Sequence, residues 1–160
     1  MVDEIWQRLL ERAGSRPGLV LTDEPDLHLL VDGRRLDPAD RRGDQYSFRL
    51  TGRPREVRLV SRSGVPQELG TARDPRELGV AVSRLMLALK SGQTRALEAD
   101  DERLSHGYHA FEPNNGVRWT DGDAIVPAAL FTGMTGPGML IVSLHGAMRY
   151  AATSAIQRVA

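Results

Sequence analysis

The segment from His106 to Pro127 concentrates the side-chain types that bind sugars or metal ions. It reads HGYHAFEPNNGVRWTDGDAIVP and places two His, one Glu, two Asp and one Arg beside Tyr, Phe and Trp. An aromatic ring packs on the C–H face of a pyranose, and planar carboxylate, amide and guanidinium groups bond adjacent hydroxyls in pairs. The candidate ligand-binding residues are Arg118, Trp119, Asp121, Asp123, His109 and Asn114.

Strand periodicity separates some of these side chains. In Val117-Arg118-Trp119-Thr120, alternation places Trp119 on the same face as Val117, which favours Trp119 as a core residue and Arg118 as the exposed one. Asp121 precedes Gly122, a position from which an aspartate typically bonds its own backbone and holds a turn. The pattern predicts a hairpin at Asp121-Gly122 and leaves open whether that hairpin binds anything.

Metal or nucleophilic chemistry has less support. His106, His109 and Glu112 are three residues apart, a spacing that aligns side chains on a helix but scatters them on a strand, and the Gly and Pro nearby argue against a helix. Calcium held by Asp121 and Asp123 is a minor alternative. No Gly-x-Ser-x-Gly elbow or Gly-rich phosphate loop occurs, so we expect no catalytic residues, no metal and no cofactor.

Composition restricts the partners. The 21 basic residues balance the 21 acidic ones, and no dense run of Lys and Arg occurs, so we expect no nucleic-acid partner. The absence of cysteine excludes disulfides and thiolate metal sites. No apolar run approaches the about 18 residues of a membrane span, and the N-terminus lacks the order of a signal peptide. We expect no membrane insertion, and the cellular compartment stays open.

The elements that must position these residues are mostly strands. Apolar and polar residues alternate in Tyr46–Leu50, Val57–Ser61 and Leu140–Leu144. Leu27–Val31 alternates as well and runs into Asp32-Gly33, a strong signal for a short hairpin. Several short strands separated by turns predict an all-β fold, an antiparallel two-sheet β-sandwich of the jelly-roll type.

Residues 75–90 fit two interpretations. Asp74-Pro75-Arg76-Glu77 has the composition of a helix N-terminus, and an apolar stripe follows at helical spacing. Alternatively, the segment alternates as a strand with one change of phase, which a β-bulge at Ser83-Arg84 would supply. We favour the strand because the surroundings are β and Lys90-Ser91-Gly92-Gln93 looks like a hairpin turn.

Three regions follow from these patterns. Residues 1–16 predict a short amphipathic lead-in helix, with Ile5 and Leu9 on one face. Residues 17–150 form the β-sandwich domain, and residues 151–160 are a loosely attached tail.

Four segments, taken in order, resemble a known family: Trp6–Ala13, Asp26–Gly33, Val57–Ser63 with Arg76–Val82, and Arg118–Ala124. They are similar to the β-sandwich module that accompanies Hint (hedgehog/intein-type) domains in alphaproteobacterial proteins. The resemblance implies an accessory module, since the autoprocessing chemistry belongs to the Hint domain, which this chain does not resemble. Related sandwich modules of polysaccharide-handling proteins imply contact with glycans, and no catalytic residues carry over.

The leading hypothesis is a non-catalytic, carbohydrate-binding-like accessory module of a larger or surface-associated protein, with a glycan as its partner. A structural or protein-interaction module, with another protein or domain as its partner, is the alternative. A small metal-assisted hydrolase that uses His106, His109, Glu112 and Asp121 is the third. The position of Trp119 is the most useful observation. An exposed indole beside Arg118 and Asp121 in a groove favours glycan binding, whereas full burial leaves a hairpin whose polar residues are turn chemistry.

Overall fold

A computed structural model describes residues 20–146 and 148–152. The predicted lead-in helix at 1–16 lies outside the described residues, and so does the predicted tail beyond residue 152. Within the described ranges, no helix has the length and apolar character needed to cross a membrane.

The described chain consists mainly of short strands, with one single-turn helix and one 3₁₀ turn. In chain order the elements are β1 (Leu21–Thr22), β2 (His28–Val31), β3 (Arg34–Leu36), β4 (Asp40–Arg42), β5 (Gln45–Leu50), β6 (Val57–Val60), α1 (Pro66–Leu69), β7 (Ala81–Leu89), β8 (Thr94–Glu98), β9 (Arg118–Trp119), β10 (Asp123–Val126), the 3₁₀ turn (Ala128–Phe131), β11 (Gly138–Leu144) and β12 (Tyr150–Ala151).

The strands form two larger sheets and a small ribbon, and every strand pairing is antiparallel. One sheet has the order β10-β6-β2-β3. The other has the order β4-β5-β11-β7-β8, with β9 also paired to β7, and the ribbon is β1-β12. The prediction of an all-β antiparallel fold is confirmed.

The two short hairpins, β2-β3 and β7-β8, occur at the turn residues that predicted them. Asp32 and Gly33 join β2 to β3 with φ angles of 50° and 83°, as a two-residue hairpin with the strands' own twist requires. Glycine adopts such a conformation without the steric cost of a Cβ. Between β7 and β8, the Leu89 N–H donates to the Gln93 carbonyl at 2.8 Å, which closes the second predicted turn.

The ambiguous segment is a strand from residue 81 onward. Ser143 pairs with Arg84 but Leu144 pairs with Val82, so Ser83 is an extra residue on β7, as the predicted bulge requires. The Asp74 carboxylate accepts the Arg76 N–H at 3.0 Å, a local turn that uses the same chemistry as a helix cap. The favoured strand interpretation is confirmed for Ala81–Leu89, and the helix-like signal belongs to the turn at Asp74.

Both larger sheets contribute side chains to one hydrophobic cluster. Leu29 and Leu59 come from the four-stranded sheet, and Phe48, Leu87 and Leu140 come from the six-stranded one; all are at most 1% exposed. Complete burial of one such side chain stabilises the fold by roughly 1.5–3 kcal/mol. The alternating apolar residues of the sequence are therefore the core.

The Asp121-Gly122 turn connects different sheets. Trp119 on β9 pairs with Ala81 of β7, whereas β10 pairs with β6. The hairpin predicted at Asp121-Gly122 is therefore wrong. An Asp-Gly pair reverses the chain equally well between two sheets as within one, and the sequence on either side contains no signal for the partner strand.

Candidate functional site

Trp119 lies in the wall of a groove with a volume of about 590 Å³, called the Trp119 groove below. The lining includes Asp74, Arg76, Glu112, Asn115, Trp119 and Met148. A smaller cavity of about 180 Å³ adjoins it, shares Trp119 and Met148, and contains Tyr46 and Tyr150. The larger volume is in the range of small-molecule binding sites.

Trp119 is only partly buried and does not belong to the hydrophobic cluster. Its strand, β9, is two residues long and lies against the start of β7, beyond the main stack of core leucines. The prediction that Trp119 is a core residue is therefore wrong. In the β7–β9 register, Arg118 pairs with the core residue Val82 and Trp119 pairs with Ala81, so Arg118 is on the core side of β9 and Trp119 on the opposite side. The prediction that Arg118 is the exposed residue of this pair is therefore wrong as well, because alternation alone does not show which face meets the core.

Gly79 determines how closely the chain after β9 approaches β7. A Cβ at Gly79 would clash with the Thr120 hydroxyl and lie 2.6 Å from the Gly122 nitrogen. The Gly79 N–H donates to the Thr120 carbonyl at 2.7 Å, and the Gly79 carbonyl accepts the Tyr150 hydroxyl at 2.6 Å. One glycine thus holds β9 next to the terminal ribbon, and this contact sets the position of Trp119.

Four planar polar side chains form a row that lines the groove together with the indole: Asp74, Arg76, Glu112 and Asn115. The Asn115 Nδ2 donates to Glu112 Oε1 at 2.8 Å. Glu112 Oε2 accepts Arg76 Nη2 at 3.2 Å, and the same guanidinium bonds Asp74 through Nη2 at 2.6 Å and Nε at 3.0 Å. Residues from two distant segments are thereby fixed along one side of the groove.

Asp74 and Arg76 shift each other's pKa values. The hydrogen bonds from Arg76 hold the pKa of Asp74 below its usual value, and Asp74 in turn raises the pKa of Arg76. Within the described residues, the bonds of Arg76 use Nε and Nη2 and leave Nη1 to donate elsewhere. The row therefore presents oriented acceptors and at least one oriented donor.

Two of the predicted site residues bond the backbone. Arg118 is partly buried, and it donates through Nε to the Ala99 carbonyl at 2.8 Å and through Nη1 to the His109 carbonyl at 3.2 Å. His109 Nε2 lies 2.6 Å from the Glu77 carbonyl, and its backbone N–H donates to the Trp119 carbonyl at 2.8 Å. Both side chains fasten the segment before β9 to its surroundings.

The other predicted polar residues are exposed and lie away from the groove lining. The Asp121 carboxylate accepts the Asp123 N–H at 3.0 Å, which confirms that Asp121 holds its own turn. Asp123 forms a two-bond ion pair with Arg58, at 2.8 and 3.0 Å. Asn114 is exposed in the turn after Glu112, one residue before the asparagine that lines the groove. Of the predicted set, the groove therefore contains Trp119.

The residues of the hydrolase hypothesis do not converge. Within the described ranges, no group of three or more His, Asp or Glu side chains is close enough to hold a metal ion. His106 and Asp121 are exposed, whereas Glu112 bonds Arg76 and Asn115. The three-residue spacing fails here because the segment is extended and turned rather than helical.

Asp74, Arg76 and Asn115 were not among the predicted site residues. Asp74 and Arg76 have a sequence signal, but it is one for a capped turn and contains no indication of a site. Asn115 precedes Gly116, and an Asn-Gly pair is typical of a tight turn. The fold alone brings the segment at 74–76 next to the segment at 112–119.

Comparisons with known proteins give one local similarity. A 48-residue segment, 30% of this chain, is 40% identical to the "Large ribosomal subunit protein uL24m" of Drosophila pseudoobscura pseudoobscura, of which the match covers 19%. The chain thus spans about a fifth of that protein's length. No protein-family model matches the chain, and no solved structure matches it.

Proposed function

We propose that this chain is a non-catalytic binding module that takes a neutral sugar in the Trp119 groove. The observation that carries the proposal is the indole of Trp119 in the groove wall, beside the planar row formed by Asn115, Glu112, Arg76 and Asp74. An aromatic face with planar hydrogen-bonding groups next to it is the combination that pyranose rings need.

The charges of the groove favour a neutral ligand. Asp23, Asp74 and Glu112 line it together with Arg76 and Arg149, so acidic side chains outnumber basic ones. Arg76 is already paired with Asp74 and Glu112. A sugar carboxylate would be repelled here, whereas hydroxyl groups would donate to the carboxylates and accept from Arg76 Nη1.

The wider context of the module is part of the proposal. We infer that the two sheets, which share one hydrophobic cluster, face each other as a β-sandwich of the jelly-roll type. We also propose a relation to Hint-associated modules, supported by the order of the resembling segments along β2, β6, β7 and the β9-β10 connection. In that setting the groove would attach a larger protein to a glycan.

A protein partner is the alternative occupant. Met148, Leu78 and Trp119 give the groove an apolar part, and Met and Trp are enriched in protein interfaces. A peptide ligand would bury these three side chains and leave the row of Asp74, Arg76 and Glu112 at the rim. Substitution of Met148 by Ala would then weaken binding more than substitution of Asn115.

Adjacent asparagines provide the test. Titration calorimetry and a glycan array are carried out with the wild type, Asn115→Ala and Asn114→Ala. We expect Asn115→Ala to weaken binding of a neutral oligosaccharide by about tenfold and Asn114→Ala to leave it unchanged, because only Asn115 lines the groove. The same ligand should change the fluorescence of Trp119 in a Trp6→Phe background.

Two results would contradict the proposal. One is a wild-type protein for which no neutral glycan binds more tightly than about 1 mM. The other is a glycan whose affinity falls equally in the Asn114 and Asn115 variants, because that result would place the ligand on the exposed turn.

A further inference from the structure

A second cavity, of about 540 Å³, lies between the β2-β3 hairpin and the loop that follows β5. Its lining includes four arginines and one aspartate: Arg34, Arg35, Arg49, Arg53 and Asp32. Val31, Leu36, Leu50 and Pro54 contribute apolar side chains to the lining. Leu50 and Pro54 are buried and the arginines are exposed, so the arginines surround an apolar floor. We call this the arginine cavity.

Three of the four arginines have no partner within the described residues. Arg35 forms ion pairs with Asp26 at 2.7 Å and with Asp37 at 2.9 Å. The side chains of Arg34, Arg49 and Arg53 form no hydrogen bond or ion pair in the part of the chain that the structure describes. Three unneutralised guanidinium groups therefore share one cavity.

Several arginines elsewhere in the described chain are paired with carboxylates. Arg58, Arg76, Arg84 and Arg103 each bond a carboxylate at 3.0 Å or less. The chain has no net charge, so a local excess of positive charge is not a consequence of overall composition. It results from the approach of β3, β5 and the loop after β5.

The aspartate of the cavity forms no ion pair with these arginines within the described residues. One oxygen of Asp32, Oδ1, accepts the backbone N–H groups of Arg55 and Glu56, at 2.8 and 2.9 Å. The backbone N–H of Asp32 donates in turn to the Glu56 carbonyl at 2.9 Å. Asp32 thus joins the hairpin to the loop and fixes the shape of the cavity before any ligand arrives.

We propose that the arginine cavity binds a compact polyanion, a small molecule with at least two phosphate or sulfate groups. A guanidinium group bonds the oxygens of such groups in pairs, and three unpaired guanidinium groups exceed what one monoanion requires. The site is independent of the Trp119 groove and of the function proposed for it.

Nucleic acid fits the surroundings less well. A duplex or single strand needs a positive surface that follows several phosphates along the backbone. Around the arginine cavity, the exposed carboxylates of Asp37 and Glu56 interrupt such a path. A compact ligand needs only the cavity itself, and its volume suits a small molecule.

Calorimetric titration with defined anions tests the proposal. Pyrophosphate and sucrose octasulfate serve as phosphate and sulfate probes, and a single-stranded oligonucleotide serves as the macromolecular probe. We expect one of the two compact probes to bind the wild type below about 1 mM at low salt, and the affinity to fall as salt is added. The stronger compact probe identifies the preferred group.

The variants locate the site. Arg49→Gln/Arg53→Gln should weaken binding of the compact probe by about a hundredfold, about tenfold for each lost charged hydrogen-bonding group. Arg42→Gln is the matched control, because Arg42 is an exposed arginine on β4 outside the cavity, with a side chain 86% exposed. It should bind as the wild type does. Circular dichroism verifies that each variant is folded.

Three outcomes would overturn the proposal: no binding of either compact probe, equal binding by the double variant and the wild type, or binding of the oligonucleotide alone. Asn115→Ala should leave the affinity for pyrophosphate unchanged, because Asn115 lines the Trp119 groove and not the arginine cavity. Failure of sugar binding and failure of anion binding are therefore distinguishable.

Discussion

The Trp119 groove and the arginine cavity have similar volumes, about 590 and 540 Å³, but use their arginines in opposite ways. In the groove, Arg76 forms ion pairs with Asp74 and Glu112, and these pairs hold the row of polar groups in place. In the cavity, Arg49 and Arg53 have no such partner within the described residues. The charge of a paired arginine is already balanced by carboxylates, which suits a neutral ligand. An unpaired arginine can form charge-assisted hydrogen bonds with an anionic ligand.

The sites also differ in how their backbones are held. The groove depends on close packing at Gly79, where a Cβ would clash with the Thr120 hydroxyl. The cavity depends on hydrogen bonds from a loop to Asp32, and nothing lies within 4 Å of a Cβ added at Gly52. The groove should therefore tolerate substitution poorly, and the cavity should tolerate it well.

The largest expected effect is a loss of stability on substitution of Gly79, the glycine that sets the backbone position of Trp119. Gly79→Ala should lower the free energy of unfolding by about 2–3 kcal/mol, because the methyl group forces Thr120 and Gly122 away from β7. Gly52→Ala, in the cavity lining, should stay within about 0.5 kcal/mol of the wild type. Urea titration measures both, and equal losses would refute the difference in packing.

A smaller effect tests the paired arginine against an unpaired one. Arg76→Gln leaves Asp74 and Glu112 without their shared cation, and we expect a loss on the order of 1 kcal/mol, since the pair is partly exposed to solvent. Arg49→Gln removes a guanidinium that bonds nothing in the described chain and should change stability by less than about 0.5 kcal/mol. Thermal denaturation at low salt compares them, and a larger loss for Arg49→Gln would reverse the assignment.

The pH dependence of stability gives a finer test of the groove. The folded-state pKa of Asp74 lies below its unfolded value, so its bond to Arg76 stabilises the protein fully above the unfolded pKa, near 4, and this contribution is lost as pH falls through the folded value. Asp74→Asn should therefore be less stable than the wild type at pH 6, with the difference narrowing toward pH 3. A difference that widens on acidification would contradict the ion pair.

The smallest expected effect comes from adding a carboxylate to the arginine cavity, so that its arginines become paired as Arg76 is in the groove. Arg53→Glu places a carboxylate among the unpaired arginines and should raise the free energy of unfolding by about 0.2–1 kcal/mol at low salt. Arg42→Glu, in which Arg42 loses its ion pair with Asp40, should not be stabilised. Repeating the urea titration at high salt should abolish the gain, and a gain that survives high salt would have another origin.

Local features of the fold were predictable because each depends on the types of a few neighbouring residues. Asp32-Gly33 supplies the positive φ angles of a two-residue hairpin, and the phase change at Ser83 reveals the bulge in β7. The two candidate sites were less predictable. The row beside Trp119 joins Asp74 and Arg76 to Glu112, residues separated by more than thirty positions, and no local pattern relates them.

The sequence by itself determined the β class, two hairpins, the bulge and most of the core, because alternation and turn chemistry act over neighbouring residues. The tertiary structure decided that Asp121-Gly122 crosses between sheets, that Trp119 lies in a groove, and which arginines have carboxylate partners. Those outcomes depend on strand pairing between distant segments. Pairing is chosen by the packing of the whole core, and alternation is the same whichever partner a strand finds.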